Sequence, residues 1–99
     1  MEVDVIFRKE KSGFFKGEVY ALFPHNVETY EGDVMSYAHV GQHSYADYNY
    51  CIRTSDPASP FEFDALKREL EGIGYELNIV KKQNHAKYLI SYGEINRHV

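Results

Sequence analysis

Ser59-Pro60-Phe61-Glu62-Phe63-Asp64-Ala65-Leu66-Lys67-Arg68-Glu69-Leu70-Glu71-Gly72-Ile73-Gly74-Tyr75-Glu76-Leu77-Asn78-Ile79 decides the fold. Ser59 is an N-cap residue, Pro60 suits the first helical position, and Glu62 completes a Ser-x-x-Glu capping box. Phe63, Leu66, Leu70 and Ile73 recur at three- and four-residue steps, making one apolar stripe flanked by Lys67, Arg68, Glu69 and Glu71. Gly72 and Gly74 offer a left-handed stop. The spacing predicts a helix over 60–72. Tyr75 to Ile79, with Val80, follows as a strand.

Upstream, residues 2–9 alternate, with Val3, Val5 and Phe7 against Glu2, Asp4, Ile6 and Arg8. Residues 18–23 repeat the pattern, Val19, Ala21 and Phe23 opposing Glu18, Tyr20 and Leu22. Two period-two segments joined by the polar turn around Gly13 predict an antiparallel hairpin. Pro24, which has no N–H to donate, is expected to end the ladder. Residues 26–33 read as a loop and 34–40 as a third strand, with Met35, Tyr37 and His39 on one face and Val34, Ser36, Ala38 and Val40 on the other. Gly41 breaks or bends it. Ser44 and Asp47 resemble a capping box opening one helical turn, Cys51–Thr54 reads as a brief extended piece, and 55–58 as a loop. Tyr88, Leu89, Tyr92 and Ile95 are spaced for a short C-terminal helix that Gly93 weakens, a frayed tail being the alternative.

The order strand-strand-strand-helix-strand defines a small α+β domain over residues 1–99, a mainly antiparallel sheet with one helix packed on one face. Composition agrees with a folded chain: 43% hydrophobic and 26% charged residues are ordinary for a globular protein. The net charge of -4 makes nucleic acid an unlikely partner, because a phosphate backbone selects basic surfaces. Cys51 is the one cysteine, so no intrachain disulfide forms and a reducing cytoplasm is the expected compartment. The N-terminus lacks a basic start followed by an apolar stretch, and no apolar run approaches the roughly 20 residues of a membrane helix. Neither a signal peptide nor a membrane partner is expected. Nine tyrosines and no tryptophan suit the half-buried faces of a small sheet.

Side chains able to do chemistry concentrate in residues 39–51. On a helix, His39, His43 and Asp47 would share a face, neighbours lying about 6 Å apart and able to share a metal. On a strand the two histidines would stand about 13 Å apart and could not. Gly41 argues against the helix, so no metal and no cofactor is expected, and imidazoles bonded to backbone or side-chain groups are preferred. Cys51 with a histidine base and Asp47 has the inventory for thiol chemistry, but a lone cysteine between Tyr50 and Ile52 is more often a small buried hydrophobe. Phe14-Phe15 beside Lys11 and Lys16 marks a second point at which a partner could dock.

The segment is expected to line a surface cleft, with His39, Gln42, His43, Ser44, Asp47, Tyr48 and Cys51 as its candidate ligand-binding residues. The function expected is a cytosolic binding or protein-interaction module, its partner a protein or a small molecule. The alternative is a small enzyme or metal-binding protein that uses His39, His43, Asp47 and Cys51. A homodimer through a sheet edge or a tyrosine-rich face is also expected.

The run His39-Val40-Gly41-Gln42-His43-Ser44-Tyr45-Ala46-Asp47-Tyr48 resembles a stretch in short uncharacterised bacterial proteins of about this length. There an HVGQHS-x-ADY sequence precedes a helix and an ELExIGYxL-like segment, which here is Glu69 to Leu77. Tyr45 stands where those proteins carry a small residue. The resemblance implies no activity, and it picks out the same segment as the residue types do.

Overall fold

The computed structural model describes residues 2–38 and 42–97, with Gln42 described by its backbone. His39, Val40 and the expected bend at Gly41 lie outside the described residues. Strands β1 (Glu2–Glu10), β2 (Val19–Val27), β3 (Val34–Ala38) and β4 (Gln42–Ala46) are followed by helix α1 (Tyr48–Thr54) and the three-residue strand β5 (Ser55–Pro57). Helix α2 (Pro60–Ile73), strand β6 (Glu76–Ile79) and helix α3 (His85–Asn96) complete the order. The α+β class and the mainly antiparallel sheet are as the sequence predicts.

The sheet order is β4-β3-β2-β1-β5, and β6 also pairs with β1. β1 thus lies between β2 and two short strands. β6 runs parallel to its first half, Val3 opposite Leu77 and Val5 opposite Ile79. β5 runs antiparallel to its end, with Arg8 opposite Pro57. At the other side β4 is the free edge.

The capping box of α2 is complete: Glu62 N–H donates to Ser59 Oγ, and the Glu62 carboxylate accepts from Ser59 N–H. Phe63, Leu66 and Leu70 are the helix's buried residues, while Ile73 is 53% exposed past the end of the stripe. They pack on Val5, Phe7, Ala21, Phe23 and Tyr37, one face of the sheet, with the rings of Phe7 and Phe63 stacked at 4.3 Å between centroids.

The opposite face holds a second core that the sequence did not predict. Ile6, Leu22, Val27 and Val34 are buried there under Tyr88, Tyr92 and Ile95 of α3 and Tyr48, Cys51 and Ile52 of α1. Helices therefore lie on both faces. Tyr48, Cys51 and Ile52 fall at i, i+3 and i+4, the helical spacing. Asp47 caps α1 by accepting from Tyr50 N–H at 3.0 Å. The expected turn opening at Ser44 is instead strand β4, and the expected extended piece 51–54 is helix, because Asp47 is the capping residue rather than the third residue of a box. α3 extends over the expected C-terminal segment, with Leu89 turned outward at 50% exposure.

Pro24 breaks the ladder without ending the strand. β2 pairs with β3 as far as Phe23 opposite Met35, and the register shifts before Val27 meets Val34. The missing N–H forces this bulge. Pro24 stays buried, and its carbonyl accepts from Gln83 Nε2 at 3.0 Å.

Candidate functional site

α3 and α1 together leave part of their sheet face uncovered. Over that part, alternation in β3 and β4 points Ser36, Ala38, Ser44 and Ala46 outward from the sheet on the α1 side, with Ser36 opposite Ser44. Small side chains leave space where larger ones would meet a helix. The result is a trough of about 660 Å³, floored by these four residues and closed at one side by Tyr20 and Cys51. Glu10, Glu18 and Phe15 stand at its far end, at the base and turn of the β1–β2 hairpin. Its volume lies in the range of ligand pockets.

Cys51 is half-buried at the trough wall. Burial pushes its thiol up, the nearby Tyr20 hydroxyl pulls it down, and the Glu10 carboxylate adds to the rise. A thiol so held is protonated at neutral pH and is a poor nucleophile. Burial likewise pushes the Tyr20 phenol well above its ordinary value. The Tyr20 hydroxyl lies near Ser55 and Cys51 but makes no hydrogen bond of normal geometry, and it is the one buried side-chain polar atom of the described residues left so. Ser55 Oγ is otherwise engaged, accepting from Arg8 Nε at 2.8 Å and donating to the Cys51 carbonyl at 2.5 Å. The Arg8 guanidinium, almost fully buried, is held by Ser55 and by the carbonyls of Ser55 and Ile52.

His43 lies on the other face of β4. Its ring meets Tyr37 edge-on at 4.9 Å, and its Nε2 is 2.8 Å from the Tyr75 hydroxyl. Tyr37 in turn donates to the Glu69 carboxylate at 2.5 Å, which holds the phenol proton in place. The sheet therefore stands between His43 and Cys51. Asp47 and Tyr48 face a third region, a polar pocket of about 290 Å³ walled also by Glu31, Asp33 and His85. Asp47 is engaged in capping α1, and the Tyr48 hydroxyl accepts from Gln83 N–H at 2.8 Å. Among the described residues no three His, Cys, Asp or Glu side chains come together in a way that could hold a metal ion.

The candidate residues of the sequence thus separate. Ser44 and Cys51 meet in the trough, Asp47 and Tyr48 border the polar pocket, and His43 stands behind the sheet. His39 and the side chain of Gln42 lie outside the described residues. Sequence reasoning missed the other parts of the trough. The signal available was the run of small residues at alternate positions of β3 and β4, legible only once β4 is known to be a strand.

It also missed a polar network at the opposite end of the sheet. Asp4 accepts from Asn78 Nδ2 at 2.8 Å and Lys87 Nζ at 3.1 Å, and lies 2.8 Å from His25 Nδ1. His25 Nε2 accepts from Asn84 N–H at 2.7 Å, so the proton sits on Nδ1 and points at Asp4. Asn84 caps α3. The network therefore joins β1, β2, β6 and the start of α3. Among the described residues no helix is long and apolar enough to cross a membrane. No family model, curated protein or solved structure matches the chain.

Proposed function

We propose that this domain is a binding module and that the trough over β3 and β4 is its binding site. One observation carries the reading: part of the sheet face beside α1 and α3 is left open, with a floor of small residues. The described residues that would carry nucleophilic or metal chemistry are dispersed over three regions, which favours binding over catalysis. The free edge of β4 borders the trough, and Gln42–Ala46 has no lysine, arginine, aspartate, glutamate or proline to blunt it. A homodimer through that edge, in the cytoplasm, belongs to the same reading.

Nile red, a neutral apolar dye, is the test ligand. At about -0.3 kcal/mol per heavy atom, its roughly two dozen atoms correspond to a dissociation constant on the order of 10 μM. Ala38 is exposed on the floor, so Ala38→Trp fills the trough without disturbing the core. The variant is expected to bind the dye at least about tenfold more weakly, with an unchanged melting transition. Equal binding by both proteins contradicts the assignment.

A further inference from the structure

We infer that the trough takes an elongated apolar amine, its cationic head at Glu10 and Glu18 and its hydrocarbon body on the floor toward β4. This rests on the trough being the binding site and adds the chemical class of its ligand.

The charge layout is one-sided. Glu10 and Glu18 face each other across the hairpin base, where Glu10 N–H donates to the Glu18 carbonyl at 2.9 Å. Both side chains border the trough, and among the described residues no lysine, arginine or histidine does. Neither carboxylate forms an ion pair among the described residues. The nearest buried cation, Arg8, is turned away to Ser55 and Ile52. Lys11 and Lys16 lie in the exposed hairpin turn and do not line the trough. A carboxylate or phosphate ligand would meet two like charges here, whereas an ammonium has donors for both.

The rings and the length agree. Phe15 borders the same end as the two glutamates and Tyr20 the adjoining side, and an aromatic face attracts a cation lying within about 6 Å. From β1 to β4 there are three strand spacings, about 14 Å in all, along which the floor offers Ala38, Ala46 and two serine hydroxyls. That space suits a chain of roughly eight to ten carbons at their ordinary spacing, rather than a compact polar metabolite.

Octylammonium, octanol and octanoate share one chain and differ in head-group charge. Each is titrated below its micellar concentration into the isotope-labelled protein while backbone amide shifts are followed. Octylammonium is expected to shift the amides of residues 36–38, 44–46 and 51 and to bind about tenfold more tightly than octanol, with octanoate weakest. In the Glu10→Gln/Glu18→Gln double variant its affinity falls to that of octanol, which is unchanged. Added salt, a test that needs no variant, narrows the same gap by screening the exposed charges. Octanol or octanoate binding as tightly as octylammonium overturns the amine class and leaves the trough as the site. Failure of all three to shift trough amides overturns both.

Discussion

Leu70→Ala is expected to lower stability by about 3–5 kcal/mol. Leu70 has no exposed surface and belongs to the core that α2 forms with the sheet residues Val5 and Phe23. Removing its isobutyl group leaves a cavity bounded by strands paired on both sides, which cannot close over it. For a domain with a total stability of about 5–15 kcal/mol, the variant would be close to unfolding in mild urea. Ile73→Ala is the control. Ile73 belongs to the same sequence stripe but is 53% exposed, so its truncation should cost less than about 1 kcal/mol. Similar losses for both in urea denaturation would mean that α2 is rotated from its described position.

Asp4→Ala is expected to cost about 1–2 kcal/mol at neutral pH, because it removes the acceptor of Asn78 and Lys87 and leaves the mostly buried His25 ring N–H without a partner. Its pH dependence is more diagnostic than its size. The Asn78 amide, then Lys87 and His25, hold the Asp4 carboxyl below its ordinary value of 3.8, against a burial effect that raises it. A carboxyl with a depressed folded-state pKa contributes stability above its unfolded pKa and loses it as pH falls through the folded one. The stability difference between wild type and Asp4→Ala should therefore shrink as pH falls below 3.8. Glu62, pulled down to about 2 chiefly by Lys9 and then by the Ser59 backbone, titrates in both proteins and cancels in that difference. A difference that persists undiminished in strong acid would show that the network is held by contacts other than the carboxylate's charge.

The parts of the fold legible in the sequence are those whose signals are local. Ser59, Pro60 and Glu62 start α2 through hydrogen bonds within one turn, and the alternation of β1 and β2 follows from each strand having two unlike environments. β4 was illegible because an edge strand needs no apolar face: His43, Ser44 and Tyr45 are all exposed, so its periodicity carries no hydrophobic contrast. α1 was hidden by two cap residues three positions apart, Ser44 and Asp47, of which only the second caps a helix. β5 consists of three residues, and its pairing with Arg8 to Glu10 depends on chain brought back from more than 40 positions away.

The candidate site divided for a related reason. Residues 39–51 are close in sequence, but a strand sends successive side chains to opposite faces. His43 and Ser44 are therefore separated by the sheet although adjacent in the chain. Cys51 returns to the side of Ser44 only because α1 turns it toward Tyr20 and the second core. The Asp4–His25 pair, 21 positions apart, left no sequence mark of its own, since each residue alone reads as an ordinary polar position on a strand or loop.

If the trough is the binding site, ligand meets the α1 side of the sheet and not the face that carries His43. Amide shift mapping with octanol, the uncharged member of the series, addresses it most directly, because that alcohol depends on the apolar floor alone. Saturable shifts confined to residues 36–38, 44–46 and 51, with Tyr75 and the α2 amides unmoved, are the predicted result. Shifts centred on Tyr75, Glu69 and the α2 stripe would place the site on the opposite face and contradict the account.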